Sequence, residues 1–181
     1  MSLDVGGSAW DIRYDFRAIL DILRYFNDPN YEQDEKWLIC LDILYKDFSV
    51  MPSQFWQEAG EKAVDFIDMG IKDDGRPKPH LMDWEQDAPI IIPAVNKVIG
   101  RDVRSYPKGE MHWWTFLGAY MEIGDSLFSQ VTSIRQKKAK HQKLDKQEQK
   151  WYQENRNLVD LKQKYTEEEL KQQQRMMKWL D

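Results

Sequence analysis

The groups in this 181-residue chain that could perform chemistry are three histidines, one cysteine and many carboxylates. A helical metal site would need ligands three or four residues apart, or paired cysteines. His80, His112 and His141 are far apart in sequence and Cys40 stands alone, so that spacing is absent. Convergence of His112 with Glu110 or Asp125 in space is the remaining route to a metal, and it is weighed against a plain helix-start histidine. Nucleophilic catalysis needs an activated thiol or hydroxyl. Cys40 falls on an apolar helical stripe with Leu41 and Leu44, where a thiol behaves as a small hydrophobe. No serine stands in a nucleophile elbow and no glycine-rich loop resembles a phosphate cradle. Paired carboxylates need an apolar pocket to split their pKa values, and these carboxylates sit at helix starts and on polar faces. The chain reads as non-enzymatic, with no catalytic residue, no metal site and no cofactor.

The richest window is Glu110-Met111-His112-Trp113-Trp114-Thr115-Phe116, which joins one imidazole to three large rings. Successive helical residues point about 100° apart, so Trp113 and Trp114 cannot both face one core line. Trp113 falls on a stripe with Phe116, Leu117 and Tyr120 and reads as core. Trp114, beside Met121, must reach a second element or another molecule. Trp10, Trp37, Trp56 and Trp84 lie on periodic apolar faces and read as core. Trp114, Trp151 and Trp179 have sparse apolar neighbours, the pattern of protein-binding anchors.

Charge is divided unevenly. The net charge is -5, but residues 1–126 hold 13 Lys+Arg against 23 Asp+Glu, and residues 127–181 hold 13 against 8. The first part is therefore an acidic body and the second a basic tail. Arg135, Lys137, Lys138, Lys140, Lys143, Lys146 and Lys150 form a basic run opposed only by Asp145 and Glu148. Phosphate neutralisation by such a run is chemically available. Against it, the whole chain is acidic and lacks a recognition motif. A solvated face, or a docking strip for an acidic protein surface, is the preferred reading, with Arg135, Lys137, Lys138 and Lys140 as candidate contacts. Nucleic acid is the disfavoured partner.

A mean hydropathy of -0.75 and a longest apolar run of eight residues, Ala88 to Val95, exclude a membrane-spanning helix. The start, Met1-Ser2-Leu3-Asp4, does not read as a secretory leader. One cysteine suits a reducing compartment, so the cytoplasm is the expected location.

These residues need elements to hold them. Leu3, Val5, Trp10 and Ile12 alternate about Gly6-Gly7, which predicts a hairpin. Helical spacing follows in Phe16, Ile19, Leu20 and Leu23, closed by Asn27-Asp28-Pro29. It continues in Trp37, Cys40, Leu41, Leu44 and Phe48, and then in Trp56, Ala59, Ala63, Phe66 and Ile67, between Pro52 and Gly70. The stretch from Lys72 to Pro79 reads as a loop. Asp83 with Gln86 suggests a capping box for a helix carrying Trp84, Ala88, Ile91, Ile92, Val95 and Ile99 and ending at Gly100. Pro89 and Pro93 call for a kink or a late start. The tryptophan helix is expected from about Met111 to Gly124. Leu127, Val131 and Ile134 carry an apolar face onward. Asp145 with Glu148, and Thr166 with Glu169, predict two more capped helices with sparse apolar positions. The fold class is mainly α: a compact helical domain with a short N-terminal β-hairpin over residues 1–126, and a basic helical extension over residues 127–181.

Read in order, several segments resemble the bacteriophage gene-product-fifteen family of tailed phages infecting mainly Gram-positive bacteria. They are Ile12-Arg13-Tyr14-Asp15-Phe16-Arg17 before Leu20; Asp42-Ile43-Leu44-Tyr45; Asp83-Trp84-Glu85-Gln86-Asp87-Ala88; His112-Trp113-Trp114-Thr115-Phe116; and Ile134-Arg135 before a basic helix. The resemblance runs over about residues 3–160. Asp83, Gln86, Asp87, His112, Trp113 and Phe116 read as its packing signature. Pro89 and Pro93, and a helix after Tyr165, depart from the pattern. The family's genes typically lie between those of the major tail protein and the tape-measure protein, where tail-assembly chaperones are usually encoded. The resemblance thus implies a tail-assembly chaperone that binds the tape-measure protein or other tail proteins and self-associates. The alternatives are a small phage nucleic-acid-binding protein acting through residues 135–150, and a structural tail component.

Overall fold

The computed structural model describes residues 1–72 and 75–171. Strands β1 (Ser2–Val5) and β2 (Ser8–Asp11) form an antiparallel hairpin in the register Leu3↔Trp10 and Val5↔Ser8. Gly6 and Gly7 make its two-residue turn at φ 60° and 72°, the left-handed region that glycine enters without steric cost. The ring of Phe55 also lies where a Gly6 side chain would stand.

The chain then forms α1 (Phe16–Phe26), α2 (Gln33–Leu44) and α3 (Trp56–Ile67). Short 3-10 turns at Phe48–Val50 and Ser53–Phe55 join the last two. Asp15 caps α1 by accepting the Arg17 N–H. Phe16, Ile19 and Ile22 form the buried face of α1, each contributing roughly 1.5–3 kcal/mol by leaving water. The small residues Cys40, Ala59 and Ala63 are fully buried and allow α2 and α3 to approach closely. The Tyr45 hydroxyl donates to the Ala59 carbonyl at 2.9 Å and pins the two together.

A turn from Asp83 to Asp87 precedes α4 (Ala88–Ile99). The late start expected from the prolines is found. Pro89 stands in the first turn, where its missing N–H has no intrahelical acceptor in any case. Pro93 lies inside, and Gly100 ends the helix at φ 75°. A 3-10 turn at Val103–Ser105 leads to α5 (Trp113–Met121) and α6 (Leu127–Ala139). Helix α7 (Lys146–Glu154) and the single turn α8 (Arg156–Val159) follow. A further helix opens at residue 167 behind the Thr166–Glu169 capping box, in which each backbone N–H meets the other's side chain.

The charge step at residue 126 is not a step in packing. Phe128, Val131, Ile134 and Val159 are buried in the same apolar cluster as Ile19, Leu44, Ile91 and Phe116. On α6 the buried face is set by Phe128, while Leu127, expected inward, is 45% exposed.

Candidate functional site

The window around the tryptophan pair is held from three sides. His112 is the N-cap of α5, its Nδ1 accepting the Trp114 N–H at 3.0 Å. Burial, and then the N-terminal ammonium group, hold its pKa below the usual histidine value. A neutral imidazole is what this cap requires, since a protonated Nδ1 cannot accept. Tyr14 stacks on the imidazole at 5.3 Å, and the Trp113 N–H donates to the Tyr14 carbonyl at 2.8 Å. Both indoles then point at the end of α3. Trp113 Nε1 donates to Ile67 O and Trp114 Nε1 to Phe66 O, each at 2.7 Å. The last carbonyls of a helix lack intrahelical donors, and two successive indoles supply them. Trp113 is buried, and Phe116 beside it stacks on Phe16 at 4.8 Å. Trp114 is 39% exposed, with its N–H committed within the molecule.

The second tie is a buried ion pair. Arg135 lies inside the fold, correcting its expected place on a solvent-facing basic strip. Its guanidinium meets both carboxylate oxygens of the buried Asp87, at 2.6 and 2.9 Å. It also donates to the carbonyls of Val159, Leu81 and Leu158. The planar fork of arginine matches a carboxylate in two places at once. With five acceptors supplied, this pair meets the condition under which buried charge is tolerated.

Asp83 caps the turn before α4, accepting the Gln86 N–H at 2.7 Å and the Glu85 N–H at 2.9 Å. Asp87, not Gln86, takes the Asp83 N–H, so the expected capping box is not formed. Gln86 reaches away instead. Its amide donates to Asp160 O at 3.0 Å and its Oε1 accepts the Lys162 N–H at 2.9 Å, holding the following segment against the body. Lys164 bridges Asp83 and Glu85 at 3.2 and 3.1 Å. Burial pushes the Asp83 carboxyl up, but the Gln86 N–H, Lys164 and the Glu85 N–H outweigh it, leaving the pKa below the ordinary value.

Other strip residues are also engaged. Lys137 pairs with Glu148, and Lys138 with Asp160 and the Tyr152 hydroxyl. Lys140, Lys143, Lys146 and Lys150 remain exposed. Trp151 is half-buried against the core rather than free, and Trp179 lies outside the described residues. Cys40 is buried, and desolvation pushes its thiol up to about 12. Among the described residues, no group of three or more His, Cys, Asp or Glu could hold a metal ion. No described helix is long and apolar enough to cross a membrane.

Among the described residues, an apolar surface between α2 and α3 is left uncovered. Trp37, Leu38 and Leu41 face Trp56, Gly60 and Val64 across a groove of about 570 Å³, with Asp34 and Glu61 at its rim. Leu38 is 42%, Trp56 37% and Val64 39% exposed, so Trp56 is a groove residue and not the core residue expected. Both indoles are braced. Trp37 packs edge-on to Phe26 at 5.0 Å, and Trp56 leans on Phe48 and donates to Met51 O at 3.1 Å. Rigid aromatic walls with an open centre are the anatomy of a protein-binding pocket. Leu38 and Val64 lie off the main stripe of each helix, and that paired offset was the signal available in sequence. In a second depression, Arg13, Asp15 and Arg17 are already bonded to backbone groups of neighbouring elements.

The segments that carried the family resemblance are these ties. Arg13 donates to the carbonyls of Asp42, Ile43 and Tyr45 at the end of α2. Asp15 caps α1, and Arg17 reaches Tyr106 O at 2.7 Å. No curated protein and no solved structure matches the chain. A family described as Bacteriophage Gp15 protein matches residues 1–161, nearly the span of about residues 3–160 over which the resemblance runs. The chain belongs to the Bacteriophage Gp15 protein family.

Proposed function

We propose that this phage protein is a non-enzymatic tail-assembly chaperone that binds the tape-measure protein through the α2–α3 groove. The observation that supports it is the pairing of a braced apolar groove with an acidic rim. An amphipathic helix seats its i, i+3, i+4 and i+7 side chains in such a groove. Asp34 and Glu61 at the rim, on a body of net negative charge, favour a segment with flanking Lys or Arg. Long helical stretches of a tape-measure protein offer that kind of ligand, and repeated grooves on successive copies would coat it. Self-association belongs to the same proposal.

Nucleic-acid binding is the weaker reading of the basic run, of which Lys140, Lys143, Lys146 and Lys150 stay exposed. The run's first three cations are committed to Asp87, Glu148 and Asp160. The deciding experiment is co-expression with a tape-measure protein of the same phage, followed by affinity capture. Retention is expected, weakened by Leu38→Lys with Val64→Lys. A well-folded chain that retains none of the tape-measure protein overturns the reading.

A further inference from the structure

We propose that the face built on α2 receives two helices packed side by side, so that the partner's docking segment is a helical pair with basic residues along its seam. The proposal rests on the reading of the α2–α3 groove as a helix acceptor and names the form of its ligand.

Helix α2 packs on α1 on one side and on α3 on the other. At about 100° per residue, Leu38 stands on its outer crest. Trp37 and Leu41 fall to the α3 side and line the α2–α3 groove. Ile39 and Ile43 fall to the α1 side, where they meet Tyr25, Tyr31 and Phe48 around a more open depression of about 480 Å³. Leu38 borders both. The two depressions share one design. Phe26 braces Trp37 edge-on at 5.0 Å, and Tyr25 braces Tyr31 edge-on at 5.4 Å. Tyr25, Tyr31 and Ile39 are half-buried, yet none of them packs against the buried core.

A single helix seated between α2 and α3 would leave Ile39, Tyr25, Tyr31 and one flank of Leu38 in water. Adjacent grooves of a helical layer are separated by the spacing of its helices, about 8–10 Å between axes. Two helices lying in them are therefore at packing distance from each other. Leu38 then enters the seam between them as a knob enters a hole.

Charge sets the chemistry of that seam. Asp34, Leu38 and Asp42 succeed one another at four-residue steps along the crest, about 6 Å apart. Both carboxylates are exposed, and Glu61 adds a third at the α3 rim. The cleft between the two partner helices must be apolar at the level of Leu38 and carry Lys or Arg one turn to either side. The same carboxylates disfavour a second copy of this face as the occupant, because a twofold contact would set them against one another.

The test uses the full chain co-expressed with a tape-measure protein of the same phage. Ile39→Lys and Asp42→Lys alter the α1–α2 side alone, and Val64→Lys the α2–α3 side alone. Each should weaken retention by about tenfold or more, the scale of an unpaired cation forced into an apolar or basic contact. Circular dichroism matching the parent serves as proof of folding. Asp42→Lys, at an exposed position, carries the test should Ile39→Lys not fold. Retention lost to Val64→Lys but untouched by the two α1–α2 variants overturns the pair and leaves a single helix in the groove. Photoreactive benzoylphenylalanine placed at both Ile39 and Val64 of one chain counts the helices. We expect that chain to be joined to two tape-measure chains, or to two separate stretches of one, as read by denaturing gels and peptide mass mapping. Both labels on one continuous stretch of one chain overturn the proposal, as does joining to a second copy of the chain itself. Absence of any retention by the folded parent is a different failure, which removes the function and the pair together.

Discussion

Helix α3 belongs to two regions that use it in opposite ways. At its C-terminal end the carbonyls of Phe66 and Ile67 are taken by the two indoles of α5, and the polar atoms there are paired. In its middle, Gly60 and Val64 line a groove whose apolar atoms face solvent. The family signature lies in the first region and its allies: Arg13 on the end of α2, Asp87 on Arg135, His112 on the start of α5. The groove contains none of the signature segments. Residues that identify the family are thus those that assemble the fold, and the groove proposed for a partner is built from less distinctive side chains.

The sharpest way to break this contrast is to attack the ties. Arg135→Ala leaves Asp87 buried without its counter-charge, and breaking such a pair from one side costs about 3–5 kcal/mol. At roughly 2–4 °C per kcal/mol for a chain of this size, the melting temperature should fall by on the order of 10 °C. Joint replacement, Asp87→Leu with Arg135→Met, should recover much of the loss. Thermal denaturation followed by circular dichroism reads both. A wild-type melting temperature for Arg135→Ala would show that the pair is not a tie.

The tryptophan pair grades the same idea. Trp113→Phe removes the donor to the half-buried Ile67 carbonyl, costing about 1–3 kcal/mol, with a further contribution from the cavity left by a fully buried ring. Trp114→Phe also removes a donor, from the Phe66 carbonyl, but its ring is 39% exposed and leaves no core cavity, so its loss should be the smaller of the two, about 1 kcal/mol. Urea titrations of the two variants test the order. Equal losses would remove the distinction between a core ring and a rim ring.

Much of the fold could be read from periodicity. The hairpin, the stripes of α1 to α3 and the caps at Asp145 and Thr166 follow from local rules, because each is decided within a few residues. What escaped was decided at long range. Arg135 opens a run of cations in sequence, and nothing local distinguishes it from Lys137. Only the fold brings Asp87, Leu81 and Val159 to it. Gln86 sits three residues after a capping aspartate and imitates a capping box. Its partners are more than seventy residues away, at Asp160 and Lys162. The groove escaped for another reason: Trp56 fits a core stripe, and whether that stripe is covered depends on a neighbouring element.

A gentler probe is pH. Asp83 and Asp160 both have carboxyls held below their ordinary value of 3.8. For Asp160, burial pushes upward and the bonds from Lys138 and Tyr152 outweigh it. A depressed folded-state value means stability present above the unfolded value and lost as pH falls through the folded one. The window therefore lies below about pH 4. His112, also depressed from 6.5, adds a loss on the acid side of that value as its α5 cap is protonated. Melting temperatures should be flat from about pH 7 to 8 and decline in two stages on acidification. Replacing His112 by Asn, which can still cap, should erase the upper stage alone.

The smallest effect on stability should come from the groove. Leu38→Ser with Val64→Ser alters two exposed side chains, and substitutions away from buried contacts usually stay within about 0.5 kcal/mol. Chemical denaturation should therefore scarcely separate the double variant from the parent, while retention of the tape-measure protein falls sharply. The two readouts move in opposite order from those of Trp114→Phe, which should lower stability modestly and leave retention intact. If the serine pair instead lowers the denaturation midpoint as far as Trp113→Phe does, Leu38 and Val64 are packing residues. The opposition between a region that builds the fold and one that faces a partner would then be lost.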